Sequence, residues 1–152
     1  MKPTILIASD HAGFELKNHL IGFLMGKGYK VEDLGPKIFD KDDDYPKTIT
    51  PLAFKIAGAE VGTYMGIVIG KSGQGEAMVC NRFPGVRAVV FYGGKDEVIE
   101  LSKEHNDANV LALGAGLISK EEAEKAVELW LTTPFSGEER HIRRMEELDN
   151  IQ

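Results

Sequence analysis

The sequence is poor in cysteine, in clustered basic residues and in long apolar runs. Cys80 is the one cysteine among 152 residues, which excludes an intrachain disulfide and a metal site built from several cysteines. The sequence contains 18 Lys and Arg residues against 24 Asp and Glu residues, and the basic residues form no block. This argues against nucleic acid as the main partner. No run approaches the roughly 18 apolar residues of a membrane span, and the stretch after Lys2 is too short for a signal peptide. We therefore expect a single soluble, cytoplasmic domain over residues 1–152.

Short apolar runs alternate along the chain with stretches of helical periodicity. The runs, typical of buried parallel strands, are 5–8, 30–34, 66–69, 86–91 and 109–113. The helical stretches are 15–27, 48–60, 74–81, 96–105 and 119–132, the last opened by a Ser119–Glu122 capping box. This alternation predicts an α/β, three-layer, Rossmann-like domain with a five-stranded parallel sheet in the order 2-1-3-4-5. Residues 136–150 predict a charged C-terminal helix that contacts a partner subunit.

Two loops that follow predicted strands are rich in polar residues and glycine. In a sheet of this order, ligands bind beyond the carboxyl ends of strands one and three, which the loops 9–13 and 70–76 follow. The second loop has three glycines in six residues and opens a helix, as an anion site or an ordinary tight turn would require. The loop begins with Gly70, Lys71 and Ser72, which match the last three positions of the P-loop motif. Met65, however, occupies the position of the first glycine of that motif. The nucleotide-binding motif is therefore not satisfied.

The acidic residues of these loops have both a structural and a functional interpretation. Asp10 can cap the first helix, which the residue type alone favours, or pair with His11 in acid–base chemistry. Glu76 lies in the first helical turn, where a negative charge suits the helix dipole. At the mouth of a glycine loop, desolvation would also raise its pKa toward that of a general base. The sequence alone leaves both interpretations of Glu76 open.

Basic residues in the second half of the chain are equally open to two interpretations. His105 ends the fourth predicted helix, where a positive charge suits the dipole. Arg140 and Arg144 lie four residues apart, a spacing that fits a phosphate clamp or a solvated face paired with nearby glutamates. We expect His19 and Cys80 to be structural. The histidines at 11, 19, 105 and 141 show no metal-ligand spacing, so no metal site is expected.

Six motifs run in order along nearly the whole chain, and together they are highly specific. They are S-D-H-A-G-F at 9–14, D-Y-P at 44–46, G-x-S-G-x-G-E at 70–76, N-x-x-P-G-x-R-A at 81–88, E-H-N-D-A-N-V at 104–110, and T-T-P-F at 132–135 leading to R-H-x-x-R at 140–144. On these motifs the chain resembles the type B ribose-5-phosphate isomerases and the related galactose-6-phosphate isomerase subunits. The resemblance implies isomerisation of ribose 5-phosphate and ribulose 5-phosphate through a cis-enediolate, without metal or organic cofactor. It also implies a homodimer, sometimes paired into a tetramer, with active sites at the subunit interface.

The resemblance also implies roles for individual residues. Some members place a catalytic cysteine where this chain has Gly70, and this chain is similar to the subgroup in which a glutamate, here Glu76, moves the proton between C1 and C2. The other residues implied in catalysis are His105, which assists ring opening, Ser72 and Asp10. Those implied to bind the substrate are Asp10, His11, Tyr45, Lys71, Ser72, Gly73, Gln74, Gly75, Asn106, Arg140 and Arg144.

Two positions depart from the family pattern. Gly116 stands where the family usually has a phosphate-binding arginine, and Lys71 stands where it usually has glycine or a small residue. Lys71 either restores positive charge to the site, contacts a different group of the substrate, or points to solvent. The departures leave two alternatives open. One is an isomerase of a six-carbon aldose phosphate or an unphosphorylated pentose, and the other is a non-catalytic sugar-phosphate sensor on the same scaffold.

Overall fold

The computed structural model describes residues 2–151, which form a parallel sheet covered by helices on both faces. The strands are β1 (Thr4–Ser9), β2 (Val31–Asp33), β3 (Tyr64–Gly70), β4 (Ala88–Phe91) and β5 (Val110–Gly114). The helices are α1 (Phe14–Gly26), α2 (Tyr45–Ala57), α3 (Gln74–Cys80), α4 (Glu97–Glu104), α5 (Lys120–Thr132) and α6 (Glu139–Asp149). The predicted fold class is confirmed, and so is the Ser119 cap, whose hydroxyl accepts a hydrogen bond from the Glu122 amide at 3.1 Å.

The order of the strands differs from the prediction at one edge. The sheet runs β2-β1-β3-β5-β4, so the last two strands exchange places and the predicted 2-1-3-4-5 was wrong there. β5 is buried along its whole length and pairs with both β3 and β4, whereas β4 is shorter, partly exposed and forms the edge. β1 and β3 remain neighbours in parallel register. The point where the chain order reverses therefore stays where a ligand site was expected.

Alternate side chains of the strands pack against the two helical layers. Ile5 and Ile7 of β1 belong to the core beneath α1, α4 and α5, where Trp130 is fully buried. Leu6 and Ala8 point to the opposite face, beneath α2 and α3. Burial of one such large aliphatic side chain stabilises the fold by about 1.5–3 kcal/mol. The two cores therefore hold the carboxyl ends of β1 and β3 rigidly in place.

The charged C-terminal helix is present as α6. His141 is its buried residue, and the rest of the helix is exposed or half-buried. Its contact with a partner subunit stays a prediction. Within residues 2–151, none of the helices has the length and apolar character needed to cross a membrane.

Candidate active site

The loop after β3 places the carboxyl group of Glu76 at the carboxyl edge of the sheet. Gly70 ends β3, and a side chain on it would overlap the Glu76 carboxyl group. Gly73 adopts a φ of 81°, a left-handed conformation that glycine tolerates and that allows α3 to start at once. Glu76 is only 3% exposed. The bare backbone of Gly70 therefore provides the space in which this carboxyl group is buried.

Burial and neighbouring carboxylates shift the acidity of Glu76. Burial, then a hydrogen bond with the Asp10 carboxyl group, are the largest causes that raise its pKa to about 7, and the negative charges of Asp10 and Asp43 add to the effect. A negative charge on Glu76 is unfavourable here because the group is buried and lies beside other carboxylates. A carboxyl group with this pKa exchanges a proton readily near neutral pH. The site thus contains a side chain suited to general acid–base catalysis.

Asp10 and His11 follow β1 and lie at the same edge of the sheet. Asp10 accepts a hydrogen bond from the Gly13 amide at 3.0 Å, so it caps the turn before α1 as well as facing Glu76. Nδ1 of His11 lies 2.7 Å from Oδ1 of Asp43, and this bond raises the pKa of His11. The Asp43 side chain is 8% exposed, and its other oxygen has no partner among residues 2–151. Asp43 therefore favours a positively charged His11.

Tyr45 and the predicted residues of the loop 70–76 also lie near Glu76. The ring of Tyr45, at the start of α2, packs against Gly75, where a side chain would meet its Cε2 at 2.8 Å. The Ser72 hydroxyl accepts a long hydrogen bond of 3.4 Å from the amide of Gln74. Together with the hydrogen bond between Asp10 and Glu76, these contacts bring the segments after β1 and β3 and the start of α2 together at one site. The sequence motifs 9–14, 44–46 and 70–76 are thus adjacent in space.

The two departures from the family pattern touch each other. The aliphatic stem of Lys71 lies over Gly116, where a side chain would meet its Cγ at 2.9 Å. The Gly116 amide also donates a hydrogen bond of 3.0 Å to the Lys71 carbonyl oxygen. Lys71 therefore occupies space that a larger residue at position 116 would need. The two substitutions form one local change.

The remaining predicted residues form a second group around α4 and α6. His105, Asn106, His141 and Arg144 line a cavity of about 170 Å³. The imidazole rings of His105 and His141 stack with their centroids 4.3 Å apart, and Ser136 Oγ lies 2.8 Å from Nδ1 of His141. Burial, followed by the charge of His105, lowers the pKa of His141. We infer a neutral His141 stacked on His105 at neutral pH.

Arg140 has the contacts that a solvated helical face predicts. Its Nε forms an ion pair of 2.9 Å with Glu138, and both side chains are more than half exposed. Such an exposed pair contributes little to stability and is easily replaced by a better partner. The guanidinium group therefore remains available to a ligand that approaches α6.

Within one chain the residues around Glu76 lie at the carboxyl ends of the strands, and the residues around His105 lie at the amino ends, on the opposite edge of the sheet. Glu76 lies at the level of Gly70, which pairs with Gly114 at the end of β5. His105 precedes the start of β5, where Val110 pairs with Gly66. At about 3.3 Å per residue, the four steps between these levels separate them by about 13 Å. A single chain therefore does not bring His105 to Glu76.

Two predicted structural residues behave as expected, and three other residues were not singled out from the sequence. His19 pairs with Glu124 at 2.7 Å, and burial raises the pKa of the Cys80 thiol to about 12. The unpredicted residues with contacts in the two groups are Asp43, Arg87 and His141. The available signal was that Arg87 and His141 lie inside quoted motifs and Asp43 precedes one. Among residues 2–151, no cluster of three or more His, Cys, Asp or Glu is arranged to hold a metal ion.

Comparisons with known proteins match this fold and these motifs over nearly the whole chain. The model of the family described as Ribose/Galactose Isomerase matches residues 5–148. A ribose-5-phosphate isomerase B of Mycolicibacterium paratuberculosis is 38% identical, covering 93% of this chain and 87% of the relative. That of Escherichia coli is 36% identical, covering 97% and 95%.

A solved structure gives the same result in three dimensions. Ribose-5-phosphate isomerase B of Mycoplasma genitalium, solved with bound ribulose-5-phosphate, superimposes with a TM-score of 0.91 at 35% identity and covers 98% of this chain and 95% of that one. Fold and sequence thus define an isomerase with a Rossmann-like α/β domain. The chain belongs to the ribose/galactose isomerase family.

Proposed function

We propose that this protein interconverts ribose 5-phosphate and ribulose 5-phosphate through a cis-enediolate, with Glu76 as the base. The observation that carries the proposal is the buried Glu76 carboxyl group, seated under Gly70 beside the glycine loop with a pKa of about 7. The substrate is that of the relatives described above, one of which was solved with ribulose-5-phosphate bound. The reaction needs one side chain that accepts and returns a proton near neutral pH, which is what this environment favours.

The proton moves between two neighbouring carbons of the open-chain sugar. The Glu76 carboxylate accepts the C2 proton of the aldose, the C–H electron pair forms the C1–C2 double bond, and the electrons of the C1–O1 π bond move to O1 to give the enediolate. The hydroxyl proton of O2 passes to O1. The protonated Glu76 then returns its proton to C1, which accepts it with the electrons of the C1–C2 double bond, while the electrons at O2 form the ketone. The Ser72 hydroxyl and the backbone N–H groups of residues 71–75 stabilise the oxygens that gain negative charge. A well-placed donor of this kind contributes about 3–4 kcal/mol.

Positively charged residues hold the phosphate. His11, whose pKa is raised by its hydrogen bond with Asp43, lies at the Glu76 side of the site. Arg140 and Arg144, four residues apart on α6, supply the planar donors that fit a phosphate. His105 assists ring opening, and Asn106 binds a sugar hydroxyl.

We infer that two subunits complete each site. The Glu76 group and the His105 group lie at opposite edges of one sheet, so an arrangement that uses both must take them from different chains. The second subunit would place its α6 arginines over the Glu76 group of the first. The exposed face of α6 supports this arrangement, since within its own chain the helix buries only His141 among its residues.

A second candidate is isomerisation of another aldose, either a six-carbon phosphate or an unphosphorylated pentose. The contact of Lys71 with Gly116 favours it, because the change replaces the usual phosphate-binding arginine by a differently placed cation. A non-catalytic sensor is the weaker alternative, since a sensor has no need for a buried carboxyl group that titrates near pH 7.

The test is conversion of ribose 5-phosphate to ribulose 5-phosphate by the purified protein, with EDTA present and unphosphorylated ribose and a six-carbon aldose phosphate in parallel. We expect turnover that resists EDTA and requires the five-carbon phosphate. Glu76→Gln should abolish it while a substrate analogue still binds. Retained turnover in that variant would contradict the assignment of the base, and turnover of another sugar alone would favour the second candidate.

A further inference from the structure

Arg87 connects two parts of the chain that the mechanism above uses separately. Its Nε donates hydrogen bonds to the carbonyl oxygens of Asn106 at 3.1 Å and Asp107 at 3.2 Å. Its Nη2 donates to the Asp107 carbonyl oxygen at 3.0 Å and lies 3.5 Å from the Asp107 carboxylate. Its Nη1 forms an ion pair of 3.0 Å with Asp149, at the end of α6. The Arg87 side chain is only 11% exposed, whereas the side chains of its partners Asp107 and Asp149 are 30% and 36% exposed.

The segment that Arg87 holds is conformationally unusual. Asp107 has a φ of 42°, the positive-φ non-glycine residue of the described chain. Residues other than glycine rarely adopt a positive φ, and they keep it where contacts with the surrounding structure hold the backbone in place. Lys103 adds bonds of 3.2 Å to the Asp107 carboxylate and to the Ala108 carbonyl oxygen. Backbone bonds from the Asp107 amide to the Lys103 carbonyl oxygen at 3.1 Å and from the Ala108 amide to the Ser102 carbonyl oxygen at 2.9 Å close the turn that follows His105, and these side-chain bonds add to them.

Arg87 is itself held by its neighbours. Its backbone amide donates to the side chain of Asn109 at 2.8 Å, and Asn109 donates to the Gly85 carbonyl oxygen at 2.9 Å. The Asn81 side chain makes two bonds with the backbone of Ala88, of 3.0 and 2.8 Å. The guanidinium group thus extends from a fixed base. These bonds give a physical reason for the motif at 81–88, which has no other role in the mechanism, and for the part of the motif at 104–110 that follows Asn106.

We propose that Arg87 is a positioning residue for the isomerase reaction, because it fixes the turn that carries His105 and Asn106 and ties it to the helix of the phosphate-binding arginines. A planar guanidinium group donates to two carbonyl oxygens and a carboxylate at once, which the single ammonium group of lysine does not reproduce. Loss of this geometry displaces His105 while Glu76 and its loop, at the other edge of the sheet, keep theirs. The inference rests on the proposed function for its consequence in turnover, but its structural part does not.

The test compares Arg87→Met with Arg82→Met in the full-length protein. Arg82 lies in the same loop and is exposed, so its replacement removes the same charge without the contacts of Arg87. Histidine imidazole resonances are recorded by NMR, with the His105 signal assigned through His105→Asn. His19, paired with Glu124 far from this turn, serves as the internal reference.

We expect Arg87→Met to shift or broaden the His105 signal, to leave the His19 signal in place, and to lower kcat for ribose 5-phosphate by on the order of 100-fold. Arg82→Met should leave both signals and kcat near those of the wild type. Should Arg87→Met fail to fold, Arg87→Lys keeps the charge and loses the branched donors, and the same shift of the His105 signal is expected from it.

Three results would overturn the inference. The first is an unchanged His105 signal in Arg87→Met. The second is an equal change in the His19 signal, which would indicate a general loss of structure. The third is a displaced His105 signal with an unaltered kcat. A wild-type protein without activity on ribose 5-phosphate would instead count against the proposed function. The NMR comparison would then still report whether Arg87 holds His105.

Discussion

Replacing Glu76 with glutamine separates the charge of this side chain from its shape. The amide fits the space under Gly70 and can donate a hydrogen bond to Asp10, as a protonated carboxyl group does. It cannot accept a proton from the substrate. We therefore expect Glu76→Gln to abolish isomerisation and at the same time to stabilise the folded protein at neutral and alkaline pH.

The size of the stabilisation follows from the pKa of Glu76. The pKa rises from 4.5 to about 7 on folding, so the folded protein binds this proton more tightly than the unfolded chain. Stability therefore falls as pH rises through this interval and stays low above it. At about 1.4 kcal/mol per pKa unit, the full loss is about 3 kcal/mol. The glutamine variant escapes this loss because it carries no ionisable group there.

The assay is urea unfolding of wild type and Glu76→Gln at one protein concentration, from about pH 5 to about pH 8.5. We expect the variant to gain about 2–3 kcal/mol over the wild type across this range, because the titration of groups that do not interact with Glu76 cancels in the difference. Glu60→Gln, at an exposed position between α2 and β3, controls for the loss of one negative charge.

The activity of the wild type gives the second half of the same test. If Glu76 must be ionised to act as the base, kcat/KM falls about tenfold per pH unit below about pH 7. A difference in stability between the two proteins that is constant with pH would refute the raised pKa. A wild-type activity that is flat down to about pH 5 would refute its use in catalysis.

Three further substitutions test the binding residues through steady-state kinetics. Arg140→Ala should raise KM for ribose 5-phosphate by about tenfold with little change in kcat, because a phosphate contact is made in ground and transition states alike. An unchanged KM would leave Arg140 as a surface partner of Glu138. Asp43→Asn should raise KM above about pH 6.5, the ordinary pKa of histidine, because His11 then loses its proton. A KM equal to that of the wild type at about pH 8 would count against a role of Asp43 in keeping His11 charged. Lys71→Ala should raise KM if Lys71 supplies positive charge to the site, and no change in either KM or kcat would assign it to solvent.

The sequence by itself determined the elements and most of the Glu76 half of the site. Apolar runs at strand length and periodic helices specify their own boundaries through local burial, and the observed elements follow them closely. Because β1 and β3 both end at the same edge, the loops carrying Asp10, His11 and Glu76 had to meet once a parallel sheet was assumed. The motifs then pointed to the sugar isomerases.

Tertiary structure alone decided what surrounds these residues. The sequence does not show whether β4 or β5 pairs with β3, because either order closes with crossovers of similar length. Nor does it show that Gly70 leaves room for a carboxyl group, that Asp43 reaches His11, or that Lys71 covers Gly116.

The same limit applies to the His105 half of the site. A list of motif residues gives no distance, and only the strand register shows that His105 and Glu76 lie at opposite edges of one sheet. Residue types and spacing determine local structure because their energetics are local. The surroundings that raise the pKa of Glu76 and hold the turn after His105 come from segments far apart in the chain, which only the folded structure brings together.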